Sequence, residues 1–292
     1  MSQIPSYASQ FKFLVLTFPF PKVLHVELAR PKVNAFHEEF WREYGAAFDR
    51  IAQDSSVRVI VLSSRMQKAF SAGVDLAQLG SKQVSPDTAR SGLLLRTLVQ
   101  EFQHAISAPS RAPQPVIVAI HGIAFGLALD AIAACDIRWA AEDGTSFSIR
   151  ETDVGLAADI GTLARFPKLV GNLSLFQELA LSARLFGADE ALKVGIVSKV
   201  VPGSREEVIQ AALDFARIIA EKSPVALTGV KRFIAHAIDN PVDDALQYQA
   251  TWAAAAVQGT DLVNSAQAVI KKQKITYENL GELNRVKINA KL

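Results

Sequence analysis

The sequence predicts an α/β fold in which strands and helices alternate at first and helices dominate later. Between residues 11 and 64 the pattern runs strand, strand, helix, strand. From residue 163 onward, apolar residues recur mostly at helical spacing. Since 50% of the 292 residues are hydrophobic, the chain is long enough to bury a large core, as one large domain or two small ones.

The first part of the chain is predicted to form a β-hairpin, a helix and a strand. Residues 11–18 and 23–28 are rich in β-branched and aromatic residues, and two prolines lie between them, which favours a hairpin. Residues 36–53 carry apolar side chains at helical spacing, and residues 57–64 return to a strand pattern. These elements are expected to open the core.

Residues 68–76, Lys-Ala-Phe-Ser-Ala-Gly-Val-Asp-Leu, follow this strand and contain a candidate anion site. Gly73 permits an unusual backbone angle, and a helix is expected to start near Asp75. Unpaired backbone N–H groups collect at such a turn, where they suit a developing negative charge on a carbonyl oxygen. An ordinary capped turn explains this stretch equally well, because short motifs are weakly specific.

The next segments lead to the centre of the chain. Polar residues 80–91 suggest a mobile segment over a cleft, and residues 92–106 a helix. The all-apolar strand 116–120 follows a proline-rich loop, and after a turn a helix is expected over 126–134. We expect His121 at this turn to satisfy a core hydrogen bond, because no second metal-ligand residue lies at useful spacing.

The remainder of the chain is predicted to be mainly helical. The expected helices span residues 163–170, 174–182, 188–194, 206–220, 224–238, 242–257 and 260–272, with a short extended piece at 195–202.

Acidic side chains occur in apolar surroundings in the middle of the chain. Asp130 lies between Leu129 and four apolar residues, and Asp159 lies between two alanines and Ile160. Glu151 is the third acidic residue of this stretch. Because ionised carboxylates in such surroundings need a partner or a function, we expect them to be shielded from solvent and functional.

This pattern resembles the enoyl-CoA hydratase/isomerase (crotonase) superfamily, and within it the Δ3,5-Δ2,4-dienoyl-CoA isomerases. Those enzymes carry an Asp, a Glu and a second Asp at the spacing of Asp130, Glu151 and Asp159. The segment Gly-Leu-Ala-Ala-Asp-Ile-Gly-Thr at 155–162 is the most specific part, because hydratases of the superfamily typically have glycine at the position of Asp159. The resemblance covers about residues 11–272.

The resemblance implies a crotonase-like spiral of repeated ββα units. Residues 1–200 would form the core with the CoA-thioester site, and residues 201–292 a C-terminal helical region that covers the acyl site and builds a trimer. The expected partners are an acyl-CoA thioester and further copies of the chain, as a homotrimer or homohexamer.

The resemblance also implies a reaction, the isomerisation of 3,5-dienoyl-CoA to 2,4-dienoyl-CoA. Glu151 would take a proton from C2, Asp159 would protonate C6, and Asp130 would help to position the reacting system. The N–H groups of Val74 and Leu127 would form an oxyanion hole. The implied substrate-binding residues are Phe70, Ala72, Gly73, Val74, Asp75, Leu76 and Gly126.

Leu127 departs from the family, which usually has three consecutive glycines where this chain has Gly126-Leu127-Ala128. The N–H survives this change, but a side chain directed at the ligand would narrow or close the acyl pocket. Leu127 therefore supports an alternative, a catalytically silent homologue that binds acyl-CoA. A second alternative is a 2-enoyl-CoA hydratase, which normally uses two glutamates, or another crotonase-type acyl-CoA isomerase. In the third alternative, Glu151 and Asp153 are surface charges on a loop, and Asp130 is a helix residue that forms a salt bridge with an arginine.

Composition limits the remaining functions. With 31 basic and 29 acidic residues and a formal charge of +2, the chain has no strong field for nucleic acid. Cys135 is the single cysteine, which excludes an internal disulfide and a cysteine-based metal cluster, and we expect it to be buried. No apolar run approaches the ~20 residues of a membrane span. Proton shuttling needs neither a metal nor a redox cofactor, so none is expected.

Both ends of the sequence carry information about the location of the protein in the cell. The first 20 residues contain one lysine and no arginine, which argues against a transit peptide. Ala290-Lys291-Leu292 is a close variant of the Ser-Lys-Leu signal that the peroxisomal import receptor reads. Together with the β-oxidation chemistry implied by the resemblance, this tail predicts a peroxisomal location.

Overall fold

Two β-sheets and the helices around them make up the fold, which is described by a computed structural model. The structure describes residues 4–78 and 85–281. The strands are β1 (Leu14–Phe20), β2 (Val23–Leu28), β3 (Val59–Ser64), β4 (Ala69–Ser71), β5 (Val116–Ile120), β6 (Ile123–Phe125), β7 (Ile137–Ala141), β8 (Ser146–Ser148), β9 (Phe186–Gly187) and β10 (Lys199–Val201).

The helices surround these sheets. They are α1 (Glu38–Ala52), α2 (Thr88–Ile106), α3 (Ala108–Arg111), α4 (Leu127–Ala133), α5 (Thr162–Leu169), α6 (Leu173–Ser182), α7 (Ala188–Val194), α8 (Arg205–Ala220), α9 (Pro224–Asp239), α10 (Val242–Ala256) and α11 (Thr260–Ile270). Short 3-10 turns occur at Ala8–Gln10, Leu76–Gln78 and Glu151–Val154.

From β3 to β8, consecutive strands along the chain alternate between the two sheets. The large sheet has the order β1-β2-β3-β5-β7-β10, and the small sheet has the order β4-β6-β8-β9. The pairs β3/β4, β5/β6 and β7/β8 thus each give one strand to each sheet. Apart from the β1–β2 hairpin and the β8–β9 pair, the strands pair in parallel. The predicted α/β spiral of ββα units is confirmed.

Helix α1 supplies aromatic side chains to the main core. Phe40, Tyr44, Phe48 and Ile51 recur at helical spacing and are fully buried there. His37 caps the helix, because its Nδ1 accepts a hydrogen bond from the Phe40 N–H at 3.2 Å. The periodicity that predicted this helix is therefore the periodicity of core packing.

A second core lies on the other face of the large sheet. Val59 and Ile117 of the sheet pack there with Val208 and Ala212 of α8. Helix α8 begins after the predicted boundary at residue 200 and forms one layer of this core. The boundary itself stays a prediction.

Helices α9 to α11 carry much exposed apolar surface. On α9, buried Lys231 donates through Nζ to the carbonyl oxygens of Pro109 and Gln114 at 2.8 and 2.9 Å, which ties the helix to the core. Within residues 4–78 and 85–281, no helix is long and apolar enough to cross a membrane. The tail Ala290-Lys291-Leu292 lies outside the described residues.

Helix α2 begins four residues earlier than predicted. The Asp87 carboxylate accepts a hydrogen bond from the Arg90 N–H at 2.8 Å, so it caps the helix and Thr88 becomes the first helical residue. The expectation of a loop up to residue 91 was therefore wrong at its end. Residues 80–84 of the same predicted loop lie outside the described residues.

Candidate active site

Val74 lies where the segment after β4 runs beside the segment before α1. Phe36 and Val74 form a parallel bridge. The Phe36 N–H donates to the Gly73 carbonyl at 2.7 Å, and the Asp75 N–H donates to the Phe36 carbonyl at 2.9 Å. Because these bonds use the residues on either side of Val74, the N–H of Val74 itself points away from Phe36.

Leu127 is the first residue of α4, and the N–H groups at a helix start have no acceptor within the helix. Gly126 precedes it with φ 53°, a left-handed angle that favours glycine, and donates its own N–H to the Ser148 carbonyl at 2.9 Å. The Leu127 side chain is only 1% exposed and packs in the main core. The N–H and the side chain of Leu127 therefore face different surroundings.

Gly73 brings these two segments together. Its φ is +90°, as the sequence predicted, and a β-carbon placed on it would lie 2.6 Å from the Phe125 carbonyl oxygen and 3.3 Å from the Leu127 nitrogen. Only a residue without a side chain permits this approach. The backbone that carries the Val74 N–H thus lies against the start of α4.

Glu151 faces the same helix start. It opens the turn Glu151–Val154, and a β-carbon placed on Gly126 would lie 3.1 Å from Glu151 Oε1. Within the described part of the chain, the buried Oε2 has no hydrogen-bond partner. Burial raises the pKa of Glu151, and the negative charge of Asp159 raises it further. A carboxyl group with these properties suits proton transfer.

Asp130 lies one turn along α4 and is 1% exposed, as predicted. Its Oδ1 accepts a hydrogen bond from the Thr162 N–H at 2.7 Å. Burial raises the pKa of Asp130 to about 7; this hydrogen bond opposes the rise, while the charges of Glu151 and Asp159 add to it. Asp130 is thus balanced between its protonated and ionised forms near neutral pH.

Asp159 is exposed, which corrects the prediction that it is shielded from solvent. Its apolar neighbours belong to an irregular segment before α5, in which Ala158 is buried and Ile160 half-buried while Asp159 is exposed. Gln103 Nε2 donates to the Asp159 carbonyl oxygen at 2.8 Å and so ties down the backbone. Apolar neighbours in sequence did not imply burial because this segment lies at the surface.

The predicted substrate-binding residues fall into different environments. Phe70 is fully buried in the main core, so its side chain supports β4. Asp75 forms a 2.6 Å ion pair with Arg30. The helix expected near Asp75 is a short 3-10 turn, Leu76–Gln78, and Leu76 is exposed. Among the predicted residues that the structure brings together at the α4 start are Gly73, Val74 and Gly126.

Several residues of the site were missed by the sequence interpretation. Thr162 and Ser148 hold Asp130 and Gly126 through hydrogen bonds, and Arg165 lies beside Asp130 on α5. The Gly-Thr pair before the predicted helix at residue 163 was a signal for a helix start that could bind a carboxylate.

Predictions for two other residues are confirmed. Cys135 is buried. His121 is buried and its Nε2 lies 2.7 Å from the Met66 carbonyl oxygen, which is a core hydrogen bond.

A cavity of about 960 Å³ has Asp159, one of the three carboxylates, in its lining. Asp159, Gly161 and Arg165 line one side, and apolar residues of α9 such as Leu227 and Ile234 line the other. The site therefore combines backbone N–H donors, carboxyl groups at different positions and an adjoining, largely apolar space. Such a site can stabilise a negatively charged oxygen and move a proton between two positions of one ligand.

Comparisons with known proteins show which proteins this chain is similar to. A family model described as enoyl-CoA hydratase/isomerase matches residues 21–280. The chain is 43% identical over 265 residues to the mitochondrial Delta(3,5)-Delta(2,4)-dienoyl-CoA isomerase of Rattus norvegicus, covering 88% of this chain and 80% of the relative. It is 38% identical over 263 residues to the peroxisomal Delta(3,5)-Delta(2,4)-dienoyl-CoA isomerase of Arabidopsis thaliana, covering 88% and 93%.

The fold is shared with solved structures. The crystal structure of an enoyl-CoA hydratase from Bacillus anthracis superposes with a TM-score of 0.81 at 27% identity, covering 91% of this chain and 99% of that one. The family model spans most of the chain, and the relatives named above exceed 30% identity over most of its length. The chain belongs to the enoyl-CoA hydratase/isomerase family.

Proposed function

We propose that this protein isomerises 3,5-dienoyl-CoA to 2,4-dienoyl-CoA. The observation that carries the proposal is the grouping of Asp130, Glu151 and Asp159 beside the start of α4, where an N–H group of Leu127 is free to bind an oxyanion. The relatives named as Delta(3,5)-Delta(2,4)-dienoyl-CoA isomerases support this reaction over hydration. Asp159 supports it further, because hydratases typically have glycine there.

In the proposed reaction, the carboxylate of Glu151 takes a proton from C2, next to the thioester carbonyl. The C2 electron pair then extends the conjugated system to an enolate, whose oxygen accepts hydrogen bonds from the N–H groups of Val74 and Leu127. A protonated Asp159 gives its proton to C6, and the double bonds move from positions 3 and 5 to positions 2 and 4. The cycle leaves Glu151 protonated and Asp159 ionised, and proton exchange restores both.

Asp130 is proposed to stabilise and position this system through its charge. It is the most deeply buried of the three carboxyl groups, and its protonation near neutral pH changes the charge that Glu151 and Asp159 experience. The proposed steps need no metal ion and no redox cofactor, because they move only protons.

The packing of Leu127 bears on the silent-homologue alternative. Since this side chain lies in the main core, it leaves the N–H available and does not have to occupy the ligand space. This supports activity over the binding-only alternative.

The test is to incubate the purified protein with a 3,5-dienoyl-CoA and to follow the absorbance of the conjugated 2,4-dienoyl product. A 2-enoyl-CoA serves as the comparison substrate, with hydration as its readout. We expect isomerisation to be much the faster reaction. Faster hydration would favour the hydratase alternative, and binding of both thioesters without turnover would favour the silent homologue.

We propose a peroxisomal location as part of the same function. The Arabidopsis thaliana relative named as peroxisomal supports it, whereas the Rattus norvegicus relative is named as mitochondrial. The test is a fluorescent protein fused before Met1, expressed with and without Ala290–Leu292. Peroxisomal puncta that depend on these three residues are expected, and a mitochondrial pattern or puncta that survive the deletion would contradict the predicted signal.

A further inference from the structure

We propose that Arg165 is a positioning residue whose guanidinium favours the ionised form of Asp130 and so contributes to the charge of the cluster formed by Asp130, Glu151 and Asp159. The inference rests on the proposed function for its kinetic test, and a spectroscopic test below does not depend on turnover. No residue of α5 was assigned a role by the sequence pattern.

The backbone of Gly161 brings the guanidinium close to Asp130. A β-carbon placed on Gly161 would overlap Arg165 Nη1, and the same β-carbon would lie 3.8 Å from Asp130 Cβ. The guanidinium and the Asp130 side chain therefore both lie on the side of Gly161 where a side chain would stand. Any larger residue at position 161 would push the guanidinium away.

Hydrogen bonds to other residues also hold Arg165 in place. Arg165 Nη2 donates to Ser107 Oγ at 2.8 Å, at the end of α2, and the Arg165 N–H donates to the Gly161 carbonyl at 2.9 Å. Burial lowers the pKa of Arg165, and the negative charge of Asp130 is the largest effect in the opposite direction. A fixed, partly buried cation beside an acid favours the ionised form of that acid.

The charges that face Asp130 come from several elements. Glu151 from the turn after β8 and Asp159 from the loop before α5 both disfavour its ionised form, whereas the N–H of Thr162 at the start of α5 favours it. Arg165 supplies a positive charge next to this cluster.

Other groups also influence the charge of Arg165. Arg111 of α3 opposes its charge, and Asp239 of α9 and the Cys135 sulfur that follows α4 favour it. The buried hydroxyl of Tyr44 on α1 also lies within the influence of Arg165. Among these groups, Asp130 is the largest influence that favours the charged form of Arg165.

The kinetic test compares Arg165→Gln with Arg165→Lys and with the control Lys168→Gln. Lys168 is on the same helix but is exposed and pairs with Asp239, so its loss removes one positive charge of α5 and leaves Arg165 in place. The pH profile of kcat/KM is measured with a 3,5-dienoyl-CoA. The part of the profile in which kcat/KM changes because Asp130 titrates, called the Asp130 limb, is identified by its loss in Asp130→Asn. In Arg165→Gln we expect this limb to move to higher pH by about 1 unit or more, because an opposite charge nearby shifts an acid by that order.

The controls separate the positioning role from a structural one. Arg165→Lys should restore most of the original profile, since the charge is kept, and Lys168→Gln should leave the limb in place. Gly161→Ala keeps every charge but displaces the guanidinium, so it should shift the limb in the same direction as Arg165→Gln. KM should change little in all four variants if Arg165 acts through Asp130.

A second readout needs no turnover. The C=O stretch of a protonated carboxyl group in infrared difference spectra reports its titration, and the Asp130 band is the one that Asp130→Asn removes. The band should persist to higher pH in Arg165→Gln than in the parent protein. Titration of that band at the same pH in both proteins would overturn the inference, as would an equal shift in Lys168→Gln, whereas absence of isomerase activity with a shifted band would overturn only the proposed function.

Discussion

The carboxyl groups of the site differ in their access to water, and this difference suits their proposed roles. Asp130 is buried and titrates near neutral pH, Glu151 is half-buried beside the helix start, and Asp159 is exposed. A group that must take up and release protons in each cycle benefits from contact with solvent, whereas a group that stabilises charge gains from a low dielectric. Burial thus separates the proton-transfer groups from the electrostatic one.

Asp159→Asn should lower kcat for 3,5-dienoyl-CoA by about 10²–10⁴-fold, because the amide cannot deliver a proton to C6. The affinity for the CoA thioester should change little, since the substitution is nearly isosteric at an exposed position. Turnover is followed by absorbance and binding by calorimetry. Asp153→Asn, an exposed acid of the preceding turn, is the matched control and should behave like the parent protein.

Glu151→Gln should abolish exchange of the C2 proton with deuterium from the solvent, because the group that removes this proton is then missing. Exchange is measured by NMR or mass spectrometry of the recovered thioester. Asp159→Asn should keep this exchange while losing net isomerisation, which distinguishes the two roles. Exchange at the parent rate in Glu151→Gln would assign the first step to another base.

The raised pKa of Asp130 should make the free energy of unfolding fall as pH rises. Its pKa is about 7 in the folded protein against 3.8 for the free side chain, so the folded state holds the proton more tightly. The resulting stabilisation is complete below the unfolded pKa and is lost as pH rises through the folded pKa, amounting to at most ~4 kcal/mol. The free energy of unfolding is measured with urea at about pH 5 and about pH 8 for the parent protein and for Asp130→Asn. Relative to the parent protein, Asp130→Asn should be more stable at the higher pH than at the lower one. An equal difference at both values would contradict the raised pKa.

At the scale of elements, the start of α4 joins the backbone of the proposed oxyanion hole to the core. Gly126 turns the chain with a positive φ, Gly73 lies against it, and Leu127 anchors the helix in the main core. The N–H of Leu127 is held in place by the packing of its own side chain. A leucine at this position can thus support the oxyanion site from behind.

Leu127→Ala should lower the free energy of unfolding by about 2–5 kcal/mol, the usual effect of truncating a buried leucine. The N–H remains, so kcat per folded molecule should stay within a few-fold of the parent value. Leu181→Ala on α6, where the side chain is 79% exposed, is the control and should change stability far less. A large loss of kcat at full folding would mean that the leucine shapes the ligand space.

The elements that could be predicted are those with a local signal. Helix α1 and strand β5 carry long or uniform apolar patterns, and both were found at the expected places. Strands β4, β6 and β8 have three residues each and are defined by pairing with one another, which no local pattern reveals. For the same reason the sequence could name Asp130 and Asp159 as candidates but could not tell which one the fold buries.

At the scale of the whole molecule, the spiral packs its strands and α1 to α8 around two cores, while α9 to α11 leave apolar side chains exposed. These exposed residues are Val230, Ile234, Ile238, Val242, Leu246, Val257, Leu262, Val263, Val269 and Ile270. Exposed apolar residues that collect on neighbouring elements often mark a protein–protein contact. It supports the homotrimer or homohexamer that the resemblance predicts.

In solution we therefore expect a mass of three or six times the chain mass of 31.6 kDa, measured by light scattering after size exclusion. Val263→Asp and Ile270→Asp on α11 should shift the protein towards the monomer, because each places a charge where an apolar contact is expected. Asn264→Asp adds the same charge on the opposite side of that helix and should leave the assembly intact. A parent protein that elutes as a monomer, or an equal effect of Asn264→Asp, would show that this apolar face does not hold an oligomer together.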